Sequence, residues 1–119
     1  MKSYTDLEQS KKLAEILPIE SADMFYRDNG IDVKLMWEHN AQKVENPCWS
    51  LAALLQYLRE IDFFPEIEVN KTDIIMKIFY YEDDSDKQLV PVENIIVCKE
   101  TFIDAVVELI IKLKEMDLL

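Results

Sequence analysis

Apolar residues recur along this chain with two different periods, and the changes between them mark its elements. Leu7, Leu13, Ala14, Ile16 and Leu17 fall at helical spacing. They follow "TDLE", in which Thr5 and Glu8 stand three apart, the spacing of a reciprocal capping box. A first helix opening at Thr5 and closed by Pro18 is therefore predicted. "ADMFY" (22–26) and "IDVKLMW" (31–37) predict two short strands, with Asn29-Gly30 between them as hairpin chemistry. The polar stretch 38–46 predicts a loop.

In "NPCWSLAALLQYLREI" (46–61), Leu51, Leu54, Leu55, Leu58 and Ile61 return at three- and four-residue steps, the mark of a core-facing helix. Pro47 suits the start of that helix or the bend before it, and either Ser50 or Asn46 has the side chain of a cap. "DFFPEI" predicts a connection carrying two phenylalanines. From Glu66 the period drops to two. In "EIEVN" the alternation puts Ile67 and Val69 inward and Glu66 and Glu68 in water. "IIMKIFYY" (74–81) is apolar on both faces, as in a central strand. "QLVPVENIIVC" predicts one or two strands, at an edge or bent at Pro91. "TFID" pairs Thr101 with Asp104 as a second capping box. The helix behind it, from Phe102 to Met116, is apolar over most of its circumference. The order is α-β-β-α-β-β-β-α in a single domain spanning 1–119: an α+β fold of three helices packed on a small, mainly antiparallel sheet.

Composition narrows the function. The chain has 119 residues, 50% hydrophobic and 31% charged, a globular balance at a length that suits one domain. The amino-terminal stretch has the pattern of neither an export signal nor a membrane anchor, and two cysteines without export are expected as reduced thiols in the cytoplasm. The net charge of −11 argues against nucleic acid and anionic membranes as partners. A charge of that size also admits a mimic of DNA that inhibits a nucleic-acid-binding enzyme.

Candidate chemistry is sparse. A lone histidine, His39, cannot build a histidine-rich metal site, and the cysteines lack metal spacing. With Gly30 the only glycine, no phosphate-cradling loop is available. "EDDSD" (82–86) lacks the glycine and distal glutamate of a calcium loop. A Cys48–His39 nucleophile pair is conceivable, and a Cys48-dependent enzyme stays as the remote alternative. Cys48 beside Trp49, and Cys98 at the end of an aliphatic run, are both expected in the core. No cofactor is expected.

"LAEILPIESADM" (13–24), "PCWSLAALL" (47–55) and "IDAVVELIIKL" (103–113) resemble three blocks of a group of small proteins encoded by gut Bacteroidota, often on phages or other mobile elements. Members of that group often read "DNPVDA" where this chain has "KETFIDA". The group has no assigned activity, so the resemblance implies a bacterial intracellular accessory protein and no catalytic residues. The leading expectation is a non-enzymatic protein that binds another protein. Its candidate interface residues are Trp37, Phe63 and Phe64, with Val107, Ile110 and Ile111 on the last helix as the seam of a homodimer.

Overall fold

The computed structural model describes residues 3–27, 32–35, 46–81 and 89–119. Helix α1 (Leu7–Ala14) opens one residue later than its sequence suggests. Asp6, not Thr5, is the cap. Its carboxylate accepts the Gln9 amide N–H at 2.7 Å, and the Gln9 side-chain oxygen accepts the Asp6 N–H at 3.1 Å. Thr5 cannot serve, because its hydroxyl already accepts a bond from the backbone of Trp49. After α1, Pro18 starts one 3-10 turn, Ile19–Ser21, before the first strand.

Strands β1 (Met24–Arg27) and β2 (Asp32–Leu35) pair antiparallel, with Met24 opposite Leu35. This is the expected hairpin; its Asn29-Gly30 connection and the predicted loop up to residue 45 lie outside the described residues. The other side of β1 holds a strand that the hydrophobic pattern does not show. In β3 (Asn46–Cys48), Pro47 stands opposite Phe25 and Cys48 opposite Met24. Pro47 thus belongs to a strand and not to the helix start. The sheet order is β2-β1-β3, and an edge strand tolerates a residue with no amide hydrogen.

Helix α2 (Leu51–Glu60) is capped by Ser50, whose hydroxyl accepts the Ala53 N–H at 3.1 Å. Leu54 and Leu58 are fully buried. A second antiparallel sheet follows, order β4-β5-β6, from β4 (Phe63–Val69), β5 (Ile74–Tyr81) and β6 (Leu89–Lys99). The phenylalanines of "DFFPEI" lie inside β4, not in a connection. On β5, Ile74, Met76 and Ile78 form the inner face and are buried, as their alternation predicts. The β5–β6 register slips between Lys77 and Phe79, near Pro91, and β6 is an edge. Ile67 and Val69 stand opposite Met76 and Ile74, so they share the inner side, yet they are 37% and 64% exposed. The alternation gives their face correctly and their burial wrongly, because β4 is an edge and the helices do not reach its far end.

Helix α3 (Phe102–Glu115) starts at Thr101, whose hydroxyl accepts the Asp104 N–H at 3.2 Å. It packs on the inner face of β5 and β6, with α2 and α1 beside it. Ile103, Ala105, Val106, Leu109 and Leu113 join Trp49, Leu13 and Leu54 in one core. Burying each large aliphatic there contributes about 1.5–3 kcal/mol before entropy is counted. The fold is α+β, with three helices and two three-stranded antiparallel sheets.

Candidate functional site

Cys48 is where chemistry is first sought, and its surroundings are those of a joint. The thiol is wholly buried and donates to the Thr5 carbonyl oxygen at 3.3 Å, with the Thr5 hydroxyl 3.6 Å from the sulfur. The same hydroxyl lies 2.7 Å from that of Ser10 and accepts the Trp49 amide N–H at 3.1 Å. Tyr26 donates its hydroxyl to the Thr5 carbonyl at 2.6 Å, and the Trp49 indole N–H reaches the Ser21 hydroxyl at 2.9 Å. Asp23 accepts from both the amide and the hydroxyl of Ser50, at 2.9 and 2.5 Å. Among the described residues no buried side-chain nitrogen or oxygen lacks a partner. Burial pushes the Cys48 thiol above its ordinary pKa, whereas a nucleophilic cysteine needs the opposite shift and an open approach. The joint ties the stretch before α1 to α1 itself, the 3-10 turn, β1, β3 and the start of α2. His39, the base considered for a Cys48 pair, lies outside the described residues.

Cys98 corrects a second expectation. It is exposed rather than in the core, because it stands opposite Ile75 on the face of the β4-β5-β6 sheet turned away from the helices. Its thiol donates to Asp73 Oδ2 at 3.1 Å. That bond raises the thiol pKa and, with the Asn70 amide, lowers that of Asp73. A thiol held protonated by a carboxylate is a poor nucleophile. Among the described residues no cluster of His, Cys, Asp or Glu could hold a metal ion. No helix among them is long and apolar enough to cross a membrane.

The candidate interface residues separate. Trp37 lies outside the described residues. Val107 and Ile110 are 4% and 0% exposed in the single chain, covered by its own core, so they have no surface to offer a second copy. Ile111 is half-buried and lines a shallow hollow that Glu8, Lys12 and Lys99 make polar. Phe63 and Phe64 begin β4 and point to opposite faces of its sheet. Phe63 sits beside Tyr80 on the helix side, with ring centroids 6.5 Å apart. Phe64 meets Tyr81 edge-on at 5.4 Å on the outer side.

That outer side carries an exposed group of apolar side chains. Phe64, Phe79, Tyr81, Leu89, Pro91 and Ile96 share it through the strand register. Ile96 is 60% exposed, Leu89 43% and Tyr81 38%. The described helices lie on the other face. Sequence alone shows that β5 is apolar on both sides; it does not show that only one side is covered. No protein-family model matches this chain, and no curated protein or solved structure matches it either.

Proposed function

We propose that this is a non-enzymatic accessory protein that binds another protein through the outer face of the β4-β5-β6 sheet. The observation that carries the reading is a pair of apolar rows on that face, Leu89 opposite Tyr81 and Phe79 between Phe64 and Pro91, with Ile96, 60% exposed, beyond them opposite Lys77. Exposed apolar clusters are characteristic of interaction sites, where aromatic residues supply much of the binding energy. Both cysteines are free, in keeping with the expected work in a reducing cytoplasm. The acidic charge would then serve solubility and partner choice.

The test is a photo-crosslinking amino acid placed at position 96, with the exposed position 115 at the end of α3 as the control, in cells of the source organism. A defined protein cross-linked from 96 and not from 115, and lost in an Ile96→Lys background for a neighbouring probe, is the expected result. Equal labelling from both positions, or none from 96, sinks the reading. Mimicry of DNA would show itself differently: capture that collapses at high salt, because screening weakens charge pairing far more than apolar contact.

A further inference from the structure

The open edge of β4 has a polarity of its own. Asn70 donates its amide N–H to the Asp73 carbonyl at 2.9 Å, which closes the β4–β5 hairpin with a hydrogen-bonded pair. Antiparallel pairs alternate between bonded and non-bonded. With no slip in the β4–β5 register, Glu68, Glu66 and Phe64 are therefore the residues bonded to β5. The N–H and C=O groups of Ile67 and Val69, and the carbonyl of Pro65, are turned the other way. Among the described residues no strand pairs with them. The missing amide hydrogen of Pro65 falls on the open side, where the internal ladder does not need it.

The side chains along this edge are equally ordered. Ile67 and Val69 are exposed on the helix side, and Glu66 and Glu68 are exposed on the outer side. Charged residues and proline commonly guard an edge against indiscriminate pairing. Two exposed aliphatics between the charges do not fit a guard alone. We infer that β4 accepts an added antiparallel strand from a partner protein, an extended segment in which lysine or arginine alternates with an aliphatic residue. The aliphatic side chains of that segment pack on Ile67 and Val69, and its cations stand opposite Glu66 and Glu68. Its main chain bonds the open amides and carbonyls, the mode of strand addition to a sheet edge. A second copy of this chain is a poor occupant. Joined through the same strand with the helices on one side, it would set glutamate against glutamate.

This inference rests on the protein-binding reading and gives the partner its chemistry. The experiment is calorimetric titration of the whole protein with a short peptide of alternating lysine and valine, and with a peptide of the same composition in two blocks. The alternating peptide is expected to bind more tightly than the block peptide. Ile67→Pro removes one outward amide hydrogen and no charge, and leaves the bonds to β5 in place; it is expected to weaken binding about tenfold. The double change Glu66→Lys with Glu68→Lys guards against a misfolded proline variant and should weaken binding at least as much. The inference is overturned if neither peptide binds, if both bind alike, or if Ile67→Pro binds as the parent does. Loss in Ile96→Lys with no loss in either β4 variant would overturn the strand addition and leave the outer-face reading standing.

Discussion

Thr5 and Trp49 hold each other twice, once main chain to main chain and once through the Thr5 hydroxyl. The Thr5 amide donates to the Trp49 carbonyl at 2.9 Å, and the Trp49 amide donates to the Thr5 hydroxyl at 3.1 Å. Both residues are fully buried. Thr5→Val keeps the shape and deletes the hydroxyl, leaving the Trp49 amide and the Ser10 hydroxyl without that partner. A loss of about 1–3 kcal/mol is expected by urea denaturation, the penalty for a buried polar group stripped of its bond. A loss near zero would mean that water reaches the joint.

Trp49 itself is the largest fully buried side chain. Trp49→Ala is expected to cost about 3–5 kcal/mol, the range for truncating a buried aromatic. Trp49→Phe should cost less, because it keeps most of the volume and gives up the bond to Ser21. Equal losses in the two variants would show that the indole N–H, not the ring, is what the site requires.

Tyr26 and Cys48 set the alkaline limit of stability. Burial raises both pKa values above their ordinary 10.0 and 9.0. In the unfolded chain both groups ionise at those ordinary values, while the folded protein keeps them neutral. The stability they contribute is therefore full below about pH 9 and is lost as pH rises through the folded-state values. A melting temperature that declines between about pH 8 and 11 is expected, with a shallower decline in Tyr26→Phe and Cys48→Ala. An unchanged slope in both variants would place the alkaline sensitivity elsewhere.

Two aspartates sit where helices commonly end on glycine. Asp62 and Asp117 have φ of 64° and 58°, just past α2 and α3. The turn after α3 carries both bonds of a Schellman motif, Asp117 N–H to Lys114 O at 3.0 Å and Leu118 N–H to Leu113 O at 2.9 Å. A side chain in this left-handed region strains the backbone, and glycine relieves it. Asp62→Gly is expected to stabilise the protein by about 0.5–1 kcal/mol, whereas Asp62→Ala, which keeps the Cβ, should not. A chain with one glycine leaves such a site easy to improve.

How much of this was legible in the sequence varies with how local the cause is. The Thr101 cap, the buried face of β5 and the hairpin of β1 and β2 all follow from neighbours in the chain, and they are readable there. The cap of α1 is not: "TDLE" offers Thr5 and Asp6 equally good side chains, and the choice is made by Trp49, forty-four positions away. Pro47 is misread for the same reason, since only its pairing with Phe25 makes residues 46–48 a strand. Period two assigns Ile67 and Val69 to a face, but burial depends on how far the helices extend. For the candidate site, the sequence singles out Phe64, which the structure sets on the outer face against Tyr81. Ile96 was hidden within "NIIVC", where nothing marks which of its aliphatic residues faces outward. Val107 and Ile110 are misjudged because α1, α2 and the sheet together cover more of α3 than a pattern can reveal.

The joint at Thr5 also has a consequence in time. The β4-β5-β6 meander and α3 follow one another along the chain and are built largely from contacts between adjacent elements, which form early because little loop entropy opposes them. The stretch before α1 can settle only once β3 and the start of α2 exist to receive it. Thr5→Val should therefore speed unfolding and leave the refolding rate almost untouched, a φ-value near zero in stopped-flow chevrons. A φ-value near one would put the joint in the folding nucleus instead. If it closes last, the amino-terminal strap works as a latch on lifetime: it governs how long the native state persists more than how quickly it is reached.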